Sequence, residues 1–154
     1  MSGDPFPLML FAAGFGTRMR PLTNDRPKPL IAVGGQTLLD HALELAKEAR
    51  AAPVVVNAHY RAKQIVDHVA GRHVAVSVED PLILDTGGGL RAARPLLTPS
   101  APEADRPVFT LNTDAVWTGP NPLDALRAAW RPAEMDGLLL LVPADRARGN
   151  SSAG

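Results

Sequence analysis

The sequence contains no cysteine and carries no net charge. The lack of cysteine excludes disulfides, thiolate zinc sites and cysteine nucleophiles. Lys plus Arg number 16, as do Asp plus Glu, so the basic excess typical of nucleic-acid and membrane-surface binders is missing. A small anionic ligand remains compatible with this balance, because two or three local cations are enough to hold it.

Long apolar segments are also missing from the chain. Apolar runs such as residues 138–142 are far too short to span a bilayer. Residues 1–7 show no basic segment followed by an apolar stretch, so no secretory signal is visible. We therefore expect a cytoplasmic protein. At 154 residues, with 45% hydrophobic and 21% charged residues, the chain is predicted to form one soluble domain over residues 1–154.

Apolar patterns along the chain predict strands that alternate with helices. Strands are predicted at residues 8–12, 54–56, 74–78, 108–111 and 138–142, and helices at residues 38–49, 65–69, 88–94 and 122–130. Thr37 and Asp40 form a plausible N-terminal cap, Gly71 ends the second helix and Pro95 stops the third. The alternation indicates an α/β, Rossmann-like, mainly parallel sheet with helices on both faces. Ligands of such sheets bind at the carboxyl ends of the strands, here the loops after Ala12, Val78 and Leu111.

The first of these loops has the composition of a phosphate site. Gly14 and Gly16 allow backbone amides to approach phosphate oxygens, and Arg18 adds a bidentate donor. Lys28 lies between two prolines, which stiffen its backbone and favour a fixed amine beside a second phosphate. Alternatively, the glycines only form a tight turn and Arg18 is a solvated charge.

The second and third loops add a base site and a metal ligand. The glycine run at residues 87–89 lets a flat base lie against the main chain and precedes a helix N-terminus that favours anions. Asp114 follows the fourth strand and suits Mg²⁺, which prefers oxygen ligands. A flexible turn without a ligand, and a turn carboxylate bonded to local amides, are the alternatives.

Four aromatic or imidazole side chains near these loops have less definite roles. His59 and Tyr60 follow the second strand and could form part of a sugar pocket, although a solvent-facing His is the commoner case. Trp117 and Trp130 are expected to be packing residues, with Trp117 close enough to Asp114 to border a sugar.

Three motifs together resemble the signature of the sugar-1-phosphate nucleotidyltransferases. They are residues 10–23 with 27–30, residues 84–89, and Asn112-Thr113-Asp114, with further likeness at Gly35, Leu38, His41, Asn57, His59 and Tyr60. The resemblance covers most of the chain. Within the family the likeness is greatest to bacterial N-acetylmuramate-1-phosphate uridylyltransferases of cell-wall recycling, with mannose- and heptose-phosphate nucleotidyltransferases as alternatives.

This resemblance implies a nucleotide-diphospho-sugar transferase fold and a Mg²⁺-dependent reaction between an NTP, UTP favoured, and a sugar 1-phosphate. It implies Arg18, Lys28 and Asp114 as catalytic residues, with Asp114 as the metal ligand. It implies nucleotide binding by Ala12, Ala13, Gly14, Gly16, Thr17, Glu79, Thr86 and Gly87, with Glu79 reading the base edge. No nucleic-acid or membrane partner is expected, and the oligomeric state stays open. Family members continue well beyond residue 142, so the resemblance also implies a missing C-terminal part with a second acidic metal ligand.

Two functions of other classes compete with this interpretation. A nicotinamide-dependent oxidoreductase would use Gly14-Phe15-Gly16, but it calls for a small third residue and an acidic residue ending the next strand. This chain has Met19 and Asn57 at those positions. A non-catalytic nucleotide-sensing domain of the same fold is the second alternative.

Overall fold

The structure, a computed structural model, describes residues 5–99 and 106–147. Its strands are β1 (Leu8–Phe11), β2 (Ala32–Val33), β3 (Gln36–Thr37), β4 (Val54–Ala58), β5 (Val74–Val78) and β6 (Phe109–Asn112). Its α-helices are α1 (Leu38–Glu48), α2 (Ala62–Val69), α3 (Asp85–Leu97) and α4 (Pro122–Ala129), with 3₁₀ turns at Thr17–Met19 and Lys28–Leu30. Most predicted elements are therefore present, with ends shifted by a few residues.

Four strands form one parallel sheet in the order β5-β4-β1-β6. β1 lies between β4 and β6, and Leu10 pairs with Val56 on one side and Leu111 on the other. Residues 8–10 are fully buried, as expected for a parallel strand covered on both faces. The predicted Rossmann-like α/β architecture is confirmed.

Helices cover both faces of this sheet because successive strand residues point to opposite sides. Leu8 and Leu10 belong to a core with residues of α1, α2 and α4, among them Leu39, Ile65 and Leu123. Met9 and Val55 pack on the other face against Ala93 and Leu97 of α3. Because the helices cover the faces of the sheet, the carboxyl ends of its strands stay uncovered.

The start of α1 agrees with the sequence prediction. Asp40 donates its amide to Thr37 Oγ1 at 3.0 Å, and Asp40 Oδ2 accepts from the Thr37 amide at 3.4 Å, which makes a capping box. The small β2–β3 hairpin before this cap was not predicted from the sequence. Gly34 and Gly35 both have positive φ, as a two-residue hairpin turn requires.

Among the four helices, α3 differs most from the sequence prediction, which placed this helix at residues 88–94. It begins at Asp85, so the glycines at residues 87–89 lie inside the helix rather than in a flexible loop. Packing decides this, since α3 buries Ala93 and Leu97 against the sheet, and such contacts outweigh glycine's low helix propensity. Pro95 does not stop the helix either. The amide and hydroxyl of Thr98 both donate to the Arg94 carbonyl oxygen and close the last turn.

The prediction of a fifth strand at residues 138–142 is wrong. These residues form no ladder with β6, and Leu139 and Leu141 are more than 80% exposed. An apolar run makes a strand only when an edge pairs with it, and none does so here. Leu138–140 instead line an apolar groove of about 1010 Å³ beside β6, to which Trp117 and Trp130 also contribute.

Residues 98–107 are rich in proline and alanine, which predicts a surface loop, and they lie largely outside the described residues. Among the described residues, no helix has the length and apolar character needed to cross a bilayer.

Candidate functional site

One cleft of about 480 Å³ lies at the carboxyl ends of the strands. All three predicted loops line it. The predicted site residues on its walls are Ala12, Ala13, Gly14, Gly16, Thr17, Arg18, Lys28, Glu79, Thr86 and Asp114. Gly87 is exposed in the first turn of α3 and is not among the lining residues. Groups more than 100 positions apart in the sequence therefore share one cavity.

The phosphate loop, residues 12–19, is shaped by Gly16. This residue has a φ of 62°, in the left-handed region that favours glycine. A Cβ here would lie 2.9 Å from Thr23 Cγ2 and 3.1 Å from Lys28 Cβ. The Thr23 hydroxyl also donates to the Gly16 carbonyl oxygen at 2.8 Å. The loop thus folds back on the segment that carries Lys28.

The turn that precedes helix α2 fixes the segment that follows the phosphate loop. The Tyr60 hydroxyl donates to the Thr23 carbonyl oxygen at 2.9 Å, and the Arg61 guanidinium donates to the Asn24 carbonyl oxygen at 2.7 Å. Tyr60 is therefore a loop anchor, and His59, whose Nδ1 lies 2.7 Å from the Glu79 carbonyl oxygen, faces β5. Neither lines the cleft, so the suggested sugar-pocket role for them gains no geometric support.

Two cations and one carboxylate gather at the phosphate end of the cleft. Lys28 Nζ lies 2.9 Å from Asp114 Oδ2, with the lysine side chain 26% and the aspartate 50% exposed. Within the described part of the chain, the Arg18 guanidinium makes no hydrogen bond or ion pair and is exposed. Arg18 is therefore free to meet an anionic ligand.

Thr113 explains how Asp114 is held. Its side chain is almost fully buried, and its hydroxyl donates to the Phe11 carbonyl oxygen at 2.8 Å. This bond fastens the end of β6 to the end of β1, since Phe11 is the last residue of that strand. The carboxylate of Asp114 then projects from a fixed turn beside the phosphate loop.

Glu79 is buried at the opposite end of the cleft and is only 3% exposed. Glu79 Oε1 accepts from Asn57 Nδ2 at 2.8 Å, and Oε2 accepts from the Leu84 amide at 2.7 Å. Both carboxylate oxygens are thus bonded within the protein. The expected reading of a base edge by Glu79 remains a prediction.

Four polar residues that line the cleft were not predicted as site residues from the sequence, namely Asn57, Asp85, Asn112 and Thr113. Asn57 had a detectable signal, because a polar residue directly follows the β-branched run 54–56 in a predicted strand. Asp85 belongs to the motif at residues 84–89, but that motif was predicted to be a loop and gave Asp85 no role of its own. It begins α3 with a φ of 56°, in a conformation that Asp tolerates better than most residues.

The nicotinamide alternative does not fit this geometry. The dinucleotide fold opens a helix directly after the first strand. Here β1 is followed by a 3₁₀ turn of three residues, and Met19 lies in that turn. Asn57 also lies inside β4, and its side-chain amide is hydrogen-bonded to the Ala12 amide and to the Glu79 carboxylate.

The surroundings of Asp114, the metal ligand expected from the resemblance, can be compared with what Mg²⁺ prefers. No cluster of three or more His, Cys, Asp or Glu side chains suited to a metal is present in residues 5–99 and 106–147. Mg²⁺ commonly takes one or two carboxylates and completes its shell with phosphates and water. A single half-exposed carboxylate beside a phosphate loop is compatible with that habit.

Comparison with known proteins identifies relatives of the whole chain. The family model of the MobA-like NTP transferase domain matches residues 8–149. The chain is 39% identical to an N-acetylmuramate alpha-1-phosphate uridylyltransferase of Caulobacter vibrioides, over 100% of this chain and 65% of that protein. A mannose-1-phosphate guanyltransferase of Debaryomyces hansenii is 32% identical over 70% of this chain and 30% of its own length.

Solved structures agree on the fold. A nucleotidyl transferase from Methanothermobacter thermautotroptrophicus superposes with a TM-score of 0.65 at 20% identity, over 82% of this chain and 58% of that one. The chain thus spans less than two thirds of the length of each of these relatives.

Proposed function

Because this chain belongs to the MobA-like NTP transferase domain family, we propose that it transfers a nucleotidyl group from an NTP to a sugar 1-phosphate and releases pyrophosphate. The observation that carries this proposal is the meeting of Arg18, Lys28 and Asp114 with the phosphate loop in one cleft. Those groups supply backbone donors, two cations and one carboxylate at the position a triphosphate needs.

The reaction proposed is an in-line displacement at the α-phosphorus. A phosphate oxygen of the sugar 1-phosphate forms a bond to the α-phosphorus, and the bond from that phosphorus to the bridging β-phosphate oxygen breaks. The leaving group is pyrophosphate. Because the sugar phosphate attacks the α-phosphorus directly, no covalent enzyme intermediate is needed. Catalysis then consists of positioning and charge neutralisation.

Each charged residue has a separate task in this scheme. The free guanidinium of Arg18 holds the departing phosphates by paired hydrogen bonds. Lys28 holds the α-phosphate or the phosphate of the sugar, and to do so it must leave Asp114. Asp114, once released from Lys28, would hold Mg²⁺ through its carboxylate. Bound there, the ion would supply positive charge to neutralise the phosphate oxygens.

We propose UTP and N-acetylmuramate 1-phosphate as the substrates, in a cell-wall recycling role. The name and identity of the Caulobacter relative support this choice. A mannose- or heptose-1-phosphate guanylyltransferase is the second candidate, and the Debaryomyces relative supports the mannose substrate.

A substrate panel tests the proposal. The chain is incubated with Mg²⁺, each of the four common NTPs and N-acetylmuramate, mannose or heptose 1-phosphate, and pyrophosphate release is followed. We expect release only when both substrates and the ion are present, and most with UTP and N-acetylmuramate 1-phosphate. NTP binding without release for any sugar would favour the non-catalytic sensor, and absence of NTP binding would refute both.

A further inference from the structure

Asn57 and Glu79 form a buried polar pair between the two halves of the cleft. Each side chain is only 3% exposed. Asn57 Oδ1 accepts from the Ala12 amide at 2.7 Å, and Asn57 Nδ2 donates to Glu79 Oε1 at 2.8 Å. Glu79 Oε2 then accepts from the amide of Leu84, the residue that precedes α3. A continuous chain of hydrogen bonds therefore joins the start of the phosphate loop to the start of α3.

The chemistry of this chain determines which residue types can form it. The two amides at its ends are donors, and Asn57 Nδ2 is a third donor. Glu79 must accept twice on its two oxygens, which only a carboxylate of this length does. A glutamine there would direct its own NH₂ at another donor in either orientation. Rotating the Asn57 amide would only move that clash to Ala12.

A second observation shows how tightly this junction is packed. A Cβ at Gly89 would lie 2.6 Å from Glu79 Oε1 and 2.9 Å from Asn57 Nδ2. The backbone of α3 therefore rests directly on the pair, and the third glycine of the run is required by contact rather than by flexibility. By contrast, a Cβ at Gly87 would meet no atom within 4 Å.

We propose that Asn57 and Glu79 are positioning residues that hold the phosphate loop and the N-terminus of α3 at one fixed separation. This inference rests on the proposed function, because the spacing matters if the triphosphate binds to the loop and the base beside α3. It assigns Glu79 to the protein scaffold rather than to the base edge. Loss of the pair then weakens the binding of every NTP alike.

An exchanged pair tests this assignment. In N57D/E79Q the carboxylate moves to position 57, where it can accept from the Ala12 amide and from the glutamine NH₂. The glutamine oxygen can accept from the Leu84 amide, so every bond is restored with the charge conserved. N57D sets two carboxylates against each other and E79Q sets two donors against each other.

The affinities of all four NTPs are measured for the full chain, for both single variants and for the double variant. We expect each single variant to lose on the order of 10-fold to 100-fold in affinity for all four NTPs, with their ranking kept. The double variant should recover most of that loss. A changed ranking in E79Q, or a loss that the double variant fails to recover, would overturn the positioning role.

Hydrogen exchange of the Ala12 and Leu84 amides separates this inference from the proposed function, since it needs no nucleotide. Both amides should exchange slowly in the wild type and in N57D/E79Q, and at least one of them should exchange fast in E79Q, because the glutamine leaves one donor of the chain without an acceptor. Unchanged exchange of both amides in E79Q would refute the pair even if NTP binds. Absent NTP binding by a wild type with slow exchange would refute the proposed function instead.

Two glycine variants complete the test, one that disturbs the packing of the junction and one that serves as its control. G89A keeps every polar group but pushes against the pair, so it should reproduce the uniform loss of affinity. G137A lies in a loop away from the cleft, where a Cβ meets no atom within 4 Å, and should bind NTPs like the wild type. Wild-type affinity in G89A, with the protein folded, would contradict the tight junction.

Discussion

Lys28 Nζ lies 2.9 Å from Asp114 Oδ2, although 86 positions separate the two residues in the sequence. Lys28 lies on the segment that packs against Gly16 of the phosphate loop. Asp114 lies on the turn that the Thr113 hydroxyl fastens to β1. The ion pair therefore shows that these two segments, which are fixed separately, come into direct contact. Under the proposed function each partner has a competitor, because phosphate would draw Lys28 away and a cation would draw Asp114 away.

The first prediction concerns metal affinity without nucleotide. K28Q removes the cation that neutralises Asp114, so Mn²⁺, a spectroscopic substitute for Mg²⁺, should bind the nucleotide-free protein several-fold more tightly. The gain is modest because the pair is partly exposed. Affinity for NTP should fall by roughly 10-fold because a charged hydrogen bond to phosphate is lost. Electron paramagnetic resonance of Mn²⁺ and nucleotide titration measure the two effects, and weaker Mn²⁺ binding would count against competition.

The second prediction concerns Asp114 in turnover. D114N keeps the shape of the turn but removes the charge that holds the ion, so pyrophosphate release should fall by at least about 100-fold. The unfolding midpoint should stay unchanged. D67N is a matched control, since Asp67 is exposed on α2 and pairs with Lys63. An unchanged rate in D114N would remove this residue from the mechanism.

Local chemistry explains which parts of this site were predictable. The Thr37–Asp40 cap and the phosphate loop are encoded by adjacent residues, so the sequence alone predicts them. The partnership of Asn57 with Glu79 depends on which strands become neighbours, and no local pattern sets that order. The glycine run shows the same limit. Its propensity favours a loop, but burial of α3 against the sheet makes it helical.

The third prediction concerns the left-handed turn of the phosphate loop. G16A introduces both a strained φ and a Cβ within 2.9 Å of Thr23 Cγ2, so it should destabilise the protein by roughly 1–3 kcal/mol. G14A is the control for stability, since a Cβ there meets no atom within 4 Å and its φ is not positive. Urea unfolding of both variants measures the difference. Equal stabilities would show that Gly16 does not shape the loop.

The fourth prediction concerns acid stability at the start of α1. Burial raises the pKa of Asp40, but hydrogen bonds with His68, Thr37 and Arg72 outweigh it and hold the pKa well below its ordinary value. A depressed pKa in the folded state stabilises the protein above the unfolded pKa, and this stability is lost as the pH falls toward the folded pKa. D40N should therefore cost about 1 kcal/mol at pH 7.

The difference between D40N and the wild type should shrink as the pH drops below about 3.9, the ordinary Asp value. Denaturant unfolding of both proteins between pH 7 and pH 2 measures this. D67N serves again as the control and should show no comparable loss at pH 7. A difference that stays constant down to pH 2 would show that the Asp40 charge is not what stabilises the cap.

The run at residues 138–142 shows a different limit of sequence reasoning. Its apolar character predicts a strand, whereas in the structure residues 138–140 line the groove beside β6. The pattern does not reveal whether an edge strand will pair with it, and here none does. Two leucines of this run accordingly remain exposed.

The central claim is that one cleft holds the triphosphate between the phosphate loop, Lys28 and Asp114. Amide hydrogen exchange with and without a non-hydrolysable NTP and Mg²⁺ tests it most directly. We expect slower exchange in residues 12–19, 84–88 and 112–114, and unchanged exchange in β5 and α4. Protection confined to the apolar groove beside β6, or protection of the phosphate loop without any change at residues 112–114, would contradict the account.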